Sequence, residues 1–322
     1  MGWLSLYRAD CRRAQKKEYI RSIHSFAEFF QKDYIVDIKP CDVQSLCNTM
    51  SVYSRSYSNK LIHTLKHIFS AAVADGIIAR SPADNIRKPK AKKCEGHRAL
   101  TDEERRLIRS TYKDHGFGLA AMIMMYAGLR RGEVLYLDID RDVDFINKTI
   151  TVRGGITFKE GNQATVTTGK TEAALRTIPL VKPLELALAG HHGLVCTKED
   201  GGLMSESAFS RKYESYLTFL ETRLNGCHKR WYGKTKEHKA LLAQGKPFPP
   251  WREVKIRCHD FRVDFCTRNY QAGIPLKTLQ AWMGHADVTM ILNVYAKLTQ
   301  EQEQRDAIKL CSFMDKDLEE SA

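Results

Sequence analysis

Apolar side chains recur at helical spacing along most of this chain, whereas β-branched residues concentrate in a short stretch near its middle. The strongest helical pattern is one apolar face made of Leu61, Ile62, Leu65, Ile68, Phe69, Ala72 and Val73. The segments 149–153, 164–168 and 175–180 are rich in β-branched residues and are separated by turn-forming residues. These two periodicities predict a mainly α protein with a small antiparallel β-sheet, an α+β fold.

Several segments carry more specific predictions. Helices are expected at residues 3–31, around residues 43–50, and at 119–127, 205–224, 259–270, 276–283 and 288–295. Thr101 with Glu104 predicts a capping box at a helix start, and Ser81-Pro82 predicts a turn followed by a last short helix. The polar, basic segment 225–256 is predicted to be irregular, and its basic and aromatic residues are a candidate DNA contact.

The domain organisation follows from length and from one charged segment. A chain of 322 residues is long enough for two domains with separate cores. Residues 87–97 are basic, contain proline and lack periodicity, which predicts a linker between a domain at 1–86 and a domain at 98–322. This linker is either a solvated hinge or a basic strap along a DNA backbone, and the residues of the strap would be Arg87, Lys88, Lys90, Lys92 and Lys93.

The charge of the chain indicates a polyanionic partner. The formal net charge is +13, and residues 1–97 carry 17 Lys and Arg against 9 Asp and Glu. Such an excess suits nucleic acid first and an anionic membrane second, although a merely soluble basic protein has the same composition.

The sequence disfavours a membrane protein and a secreted protein. The mean hydropathy is −0.41, and no apolar run approaches the length of a bilayer span. No signal peptide is visible, and the nine scattered cysteines include no CxxC pair. We therefore expect reduced thiols in a cytoplasmic protein that does not enter a membrane.

Two arginines, two histidines and a late tyrosine occur in an order that suits phosphodiester chemistry. Arg130 follows Gly128-Leu129 and precedes Glu133, His259 and Arg262 form an HxxR pattern, and His285 and Tyr295 follow. Arginines can bind phosphate oxygens in pairs, histidines can exchange protons, and a tyrosine can attack phosphorus. Taken singly, each has a plainer interpretation: a surface arginine at a helix break, a chance HxxR, a structural histidine and an ordinary tyrosine.

Lys170 lies in a pattern that imitates a nucleotide-binding loop. Gly169-Lys170-Thr171 lacks the first glycine of that loop and is followed by a strand pattern where the loop requires a long helix, so nucleotide binding is disfavoured. A lysine in a β-hairpin turn can instead deliver a proton to a leaving oxygen. No recognised metal-ligand spacing is present among His191, His192, Cys196, Cys227 and His228.

In order, these blocks are GLRxxE, GK before RTIPL, HDFR, GH and Tyr, and in this order the chain resembles the tyrosine recombinases, in particular the integrases of phages and conjugative transposons. The resemblance covers nearly the whole chain. It implies a helical core-binding domain at 1–86, a catalytic domain at 98–322 with a C-terminal tail at about 299–322, and a C-shaped clamp around DNA. Integrases of this type often have a further arm-binding domain, which is either lacking or lies outside this sequence.

The resemblance also implies a role for each residue. Tyr295 would form a 3′-phosphotyrosyl link, Arg130 and Arg262 would hold the non-bridging oxygens, and Lys170 would protonate the 5′ oxygen. His259 would accept a proton or donate a hydrogen bond, His285 would contact the phosphate, and Glu133 would support Arg130 or His259. The family often has His-Thr or His-Ser after the second arginine. This chain has Val263-Asp264 there, and we expect the Asp264 side chain to point away from the phosphate.

The implied reaction needs neither a metal nor a nucleotide cofactor. Its implied partners are double-stranded recombination sites, four copies of the chain paired through a four-way junction, and an accessory protein for excision or bending. The implied setting is the bacterial nucleoid. Two other functions remain open at this stage: a type IB topoisomerase-like strand relaxer, and a DNA-binding protein without catalysis.

Overall fold

The computed structural model describes residues 2–8, 10–11, 13–90, 96–158, 162–168, 175–198, 200–245, 247, 250–284, 307–308 and 311. Within them the chain divides into two compact units, Met1–Gly96 and His97–Ala322. Among the described residues, none of the helices combines the length and the apolarity that crossing a bilayer requires.

The first unit is helical. Its helices are α1 (Gly2–Tyr7), α2 (Arg13–Phe30), α3 (Pro40–Thr49) and α4 (Arg55–Ala74). Most of the predicted apolar face of α4 is buried, and Leu61, Leu65 and Phe69 belong to one core with Val43 and Leu46 of α3. Ser54 caps α4, since its hydroxyl accepts a hydrogen bond from the backbone N–H of Tyr57 at 3.2 Å.

The second unit contains the other helices and all described strands. The helices are α5 (Asp102–Thr111), α6 (Gly118–Ala127), α7 (Arg131–Tyr136), α8 (Ile139–Asp142), α9 (Lys182–Leu188), α10 (Glu206–Asn225), α11 (Lys236–Ala243), α12 (Cys258–Gln271) and α13 (Leu276–Met283). Helix α6 is apolar on all sides and lies at the centre, in contact with α5, α7, α9 and α12. The predicted capping box of α5 is confirmed: the backbone N–H of Thr101 donates to Glu104 at 2.8 Å, and the backbone N–H of Glu104 donates to the Thr101 hydroxyl at 3.2 Å.

Two small antiparallel sheets lie beside these helices. The strands are β1 (Val143–Asp144), β2 (Thr149–Val152), β3 (Gly154–Phe158), β4 (Ala164–Thr168) and β5 (Arg176–Pro179). One sheet has the order β1-β2-β5, and the other pairs β3 with β4. The predicted mainly α fold with small antiparallel β structure is confirmed.

Close backbone contact holds α7 against β3. A Cβ atom on Gly132 would lie 2.4 Å from the carbonyl oxygen of Ile156, so only glycine fits there. Gly155 of β3 faces the same backbone, where a Cβ would approach the Gly132 carbonyl carbon to 3.1 Å. The pair fixes the start of α7, and therefore the position of Arg130, against the two-stranded sheet.

Four of the predictions about secondary structure are wrong. The single helix expected at 3–31 consists of α1 and α2, with a bend between them. Residues after Ser81 form turns rather than a short helix, and the segment 225–256 contains α11. The strands on either side of Lys170 do not form a hairpin, because β4 pairs with β3 whereas β5 pairs with β2.

Candidate active site

Arg130 lies at a corner between two helices. Helix α6 ends at Gly128, which has a left-handed backbone with φ +63°, and Leu129 is fully buried. Arg130 is then the N-cap of α7. Its backbone N–H and its Nη1 both donate to the Glu133 carboxylate, at 2.7 and 2.8 Å. Glu133 thus satisfies the free N–H at the helix start and orients the guanidinium, as the resemblance implied for this residue.

Arg176 supplies a second, buried partner for Glu133. Its Nη1 and Nη2 donate to the two carboxylate oxygens at 3.0 and 2.7 Å, in the paired geometry that arginine and carboxylate favour. Burial by itself raises the pKa of Glu133, but the hydrogen bonds and charge of Arg176 outweigh it and lower the pKa to about 2. Glu133 is therefore a permanent anion among arginines.

Arg262 is almost completely enclosed, with 1% of its side chain exposed. It projects from the second turn of α12, its Nη1 donates to the carbonyl of Gly128 at 2.7 Å, and its Nη2 donates to the carbonyl of Met283. Its Nη1 also lies 3.9 Å from Glu133. Burial and the charge of Arg130 lower the pKa of Arg262 to about 9, which still leaves it a cation at neutral pH.

The end of α13 is held by all three guanidinium groups. Successive carbonyls of Trp282, Met283 and Gly284 accept hydrogen bonds from Arg176, Arg262 and Arg130 respectively. The last carbonyls of a helix lack partners within the helix and carry partial negative charge, so cations stabilise this end. The arginines, Glu133 and the end of α13 therefore form one connected unit.

His259 lies in the first turn of α12, one turn before Arg262. Burial is the main cause that lowers its pKa, and the nearby charges of His97 and Arg262 act in the same direction. The ring of His259 contacts the ring of His97, with centroids 4.6 Å apart and an interplanar angle of 64°. The His259 imidazole is therefore favoured in its neutral form, which can accept a proton.

Asp264 points away from this group, as expected. It is fully buried and accepts hydrogen bonds from the backbone N–H of Leu100 at 3.1 Å and from Arg105 Nη1 at 2.5 Å. Burial raises its pKa. Its carboxylate is thus used to attach α12 to α5, on the side of the helix that faces the core.

A cleft of about 500 Å³ opens where these elements meet, and its lining includes Arg130, His259, Arg262, Tyr213 and Cys258. Burial raises the pKa of the Cys258 thiol to about 11 and also raises the pKa of Tyr213. The Tyr213 hydroxyl donates to the carbonyl of Ile256 at 2.6 Å. Two cations and a neutral imidazole can hold a phosphate here, whereas neither Tyr213 nor Cys258 is prepared to attack it.

The structure brings four of the predicted residues together: Arg130, Glu133, His259 and Arg262. His285, Tyr295 and Lys170 lie outside the described residues, as do Lys92 and Lys93. Arg87, Lys88 and Lys90 are exposed in the first unit, where the backbone of Arg87 exchanges hydrogen bonds with the Gln44 side chain at 2.8 and 3.1 Å.

Arg176 and His97 were not predicted as site residues. Arg176 is the first residue of the RTIPL block that contributed to the resemblance, so its position in that block was a usable signal. His97 was placed in the linker, and no local pattern connects it with the HDFR block 162 residues later.

Comparison with known proteins identifies the family of the chain. The sequence profile of the phage integrase family matches residues 100–302. A tyrosine recombinase XerC-like protein of Caldanaerobacter subterraneus subsp. tengcongensis is 26% identical over 282 residues, which cover 82% of this chain and 68% of the relative.

Solved structures show the same fold. The Tn1549 transposon integrase in complex with a circular intermediate DNA superposes with a TM-score of 0.70 at 22% identity, covering 96% of this chain and 97% of that one. The lambda integrase tetramer bound to a Holliday junction gives a TM-score of 0.55 at 18% identity, covering 89% and 77%.

Three observations indicate the same family: the order of the motif blocks, the arginine and histidine groups in one cleft, and a family profile that spans most of the second unit. The chain belongs to the phage integrase family and is a site-specific tyrosine recombinase.

Proposed function

We propose that this recombinase moves a mobile genetic element by cutting and rejoining DNA strands, and that the cleft between α7 and α12 holds the scissile phosphate. The observation that carries the proposal is the convergence of Arg130 and Arg262 on the Glu133 carboxylate, at 2.8 and 3.9 Å, beside the His259 imidazole. Positively charged groups whose orientation is already fixed stabilise a pentacoordinate phosphorane without having to reorganise during the reaction.

The proposed reaction transfers the scissile phosphate from the 5′ oxygen to Tyr295 and then to another strand. The Tyr295 oxygen attacks phosphorus and loses its proton toward His259, while the bond to the 5′ oxygen breaks and Lys170 protonates the leaving oxygen. The phosphotyrosyl link keeps the energy of the phosphodiester, and a 5′ hydroxyl from another strand reverses the step. His285 would contact the same phosphate, and Glu133 would hold Arg130 in place.

The first unit is proposed as the core-binding domain and the second as the catalytic domain. Residues 87–93, with the exposed Arg87, Lys88 and Lys90, would follow the DNA backbone between them. By analogy with the lambda integrase tetramer on a Holliday junction, four copies would pair two recombination sites. We also propose that an accessory protein bends the DNA or promotes excision, and that the recombinase acts at the bacterial nucleoid.

Covalent capture tests the proposal directly. Nicked suicide duplexes, built from both ends of the element that carries the gene and from their joined circular form, trap any covalent adduct. Trypsin cuts after Lys277 and Lys297, and the peptide 278–297 contains Tyr295 and no other tyrosine. Nucleotide attached to that peptide supports the proposal, whereas no adduct with any duplex, or attachment elsewhere, contradicts it.

The basic segment around α11 gives a prediction about DNA affinity. Lys236 and Lys239 are exposed on adjacent turns of α11. If they contact phosphates, replacing both by alanine lowers the slope of log affinity against log salt by about 2, because each lost contact releases about one counterion fewer. Fluorescence anisotropy with a duplex of arbitrary sequence, between about 50 and 200 mM salt, measures the slope.

A matched pair of lysines supplies the control. Lys148 and Lys182 are exposed and both pair with Glu185, at 2.8 and 3.4 Å, on α9. The double alanine variant at these positions removes the same charge, and we expect it to keep the wild-type slope. Equal slopes for the α11 variant and the wild type would show that Lys236 and Lys239 do not contact DNA phosphates.

A further inference from the structure

His97 connects a buried carboxylate with the His259 ring. It is the first residue of the second unit, and its Nδ1 donates to the Asp260 carboxylate at 2.7 Å. Asp260 is 1% exposed and is anchored by the backbone N–H of Arg257 at 2.9 Å. The same His97 ring lies against His259, with centroids 4.6 Å apart and planes at 64°.

This arrangement restricts His259 in two ways. The His97 ring covers part of one side of the His259 ring, so it limits rotation of His259 and keeps water from that side. The hydrogen bond to Asp260 fixes the orientation of His97, because the carboxylate cannot itself move within its buried site. Asp260 also follows His259 in the chain, so one rigid group controls both histidines.

We propose that His97 is a positioning residue, which holds His259 in one orientation and in its neutral form at the edge of the phosphate-binding cleft. The role of His259 as proton acceptor rests on the proposed function. The contact with His97 and its effect on protonation are properties of the protein alone, and they can be measured without DNA.

Among the residues that the structure describes, the charges of His97, of Arg262 on the same helix and of Arg130 at the start of α7 oppose a proton on His259, whereas the charge of Asp260 favours it. Removing His97 takes away one source of repulsion and opens His259 to water. Both changes favour the imidazolium, so the pKa of His259 should rise.

Histidine NMR titration of the whole chain tests this. In protein labelled with carbon-13 on histidine, the resonance missing from His259→Gln identifies His259. We expect His97→Ala to move the titration midpoint of His259 upward by at least about half a pH unit. His97→Gln should do the same, because its amide can still donate to Asp260 but carries neither ring nor charge, and thus separates the effect from loss of the anchor.

A second His–Asp pair provides the matched control. His192 Nδ1 donates to Asp140 at the same 2.7 Å on the surface of this unit. His192→Ala removes a His–Asp hydrogen bond of the same length away from His259, and the midpoint of His259 should stay at its wild-type value. An unchanged midpoint in His97→Ala, or an equal shift in His192→Ala, would overturn the proposal.

A cleavage assay completes the test. Because neutral His259 is the active form, the acidic limb of the rate profile for adduct formation should move to higher pH in His97→Ala together with the NMR midpoint. If the NMR midpoint shifts but the wild type forms no adduct, the proposed function and the catalytic part of this inference are wrong. An adduct whose pH profile is unaffected by His97→Ala would overturn the inference alone.

Discussion

Replacing Arg130 by lysine is expected to slow strand cleavage by at least about 100-fold while DNA affinity stays within about twofold of the wild type. The Arg130 guanidinium contacts Glu133 at 2.8 Å and the Gly284 carbonyl at 3.3 Å, and it still faces the cleft. A lysine places its three N–H donors on one nitrogen, whereas the guanidinium spreads five donors over a planar fork, so lysine does not reproduce both contacts together with a bidentate contact to the phosphate. Single-turnover adduct formation and anisotropy measure the two quantities.

Arg223 offers a control of the same chemistry. It is 51% exposed on α10 and pairs with Asp114 at 2.8 Å, comparable with the 43% exposure of Arg130. Arg223→Lys should cleave at the wild-type rate. A wild-type rate in Arg130→Lys as well would mean that Arg130 does not stabilise the transition state.

Replacing Arg176 by methionine is expected to lower the free energy of unfolding by about 3 to 5 kcal/mol. The change leaves the Glu133 carboxylate, whose side chain is 11% exposed, without its paired partner, and it also removes the bond from Arg176 to the Trp282 carbonyl at 2.6 Å. Methionine retains most of the side-chain volume, so the effect reports lost charge pairing rather than a cavity. Urea denaturation at neutral pH measures it.

The double variant Arg176→Met with Glu133→Gln separates the causes. With the buried carboxylate neutralised, we expect recovery of about half of the lost stability or more, because the largest cost is a buried anion that keeps its contacts with Arg130 but has lost its bidentate partner. If the double variant recovers no stability, the loss in Arg176→Met comes from the missing contact with the Trp282 carbonyl instead.

The same pair makes stability depend on pH. The pKa of Glu133 is lowered from 4.5 to about 2, so its contribution is fully present above about pH 4.5 and is lost as the pH falls toward 2. The difference in unfolding free energy between wild type and Arg176→Met should therefore shrink between neutral pH and pH 3. A constant difference would contradict the assignment of the low pKa to Arg176.

Local patterns predicted much of the fold and the described part of the site. The apolar periodicity of α4, the continuous apolar run of α6, the capping box of Thr101 and the HxxR spacing of α12 are short-range features, which a sequence displays directly. His259 and Arg262 had to share one face of α12 because they are three residues apart. Arg130 and Glu133 are likewise one turn apart, so the contact between them was accessible from the sequence.

Features that depend on residues far apart in the sequence could not be predicted from it. The partner of β5 is decided by packing, and alternation of side chains does not reveal whether a strand pairs with the one before it or with one much earlier. The same pairing carries Arg176 to Glu133 across 43 residues. His97 meets Asp260 across 163 residues, and only the folded chain joins them.

The three arginines that hold the carbonyls at the end of α13 also fix the point from which the chain continues to Tyr295. Tyr295 follows Gly284 by 11 residues, so its Cα atom stays within about 40 Å of the Gly284 Cα atom in every arrangement of the intervening chain. A group confined to such a radius has an effective concentration in the millimolar range or above. The proposed nucleophile, Tyr295, therefore does not have to arrive from bulk solution, and an intervening chain of this length would allow it to act on the phosphate of its own subunit or of a neighbouring one.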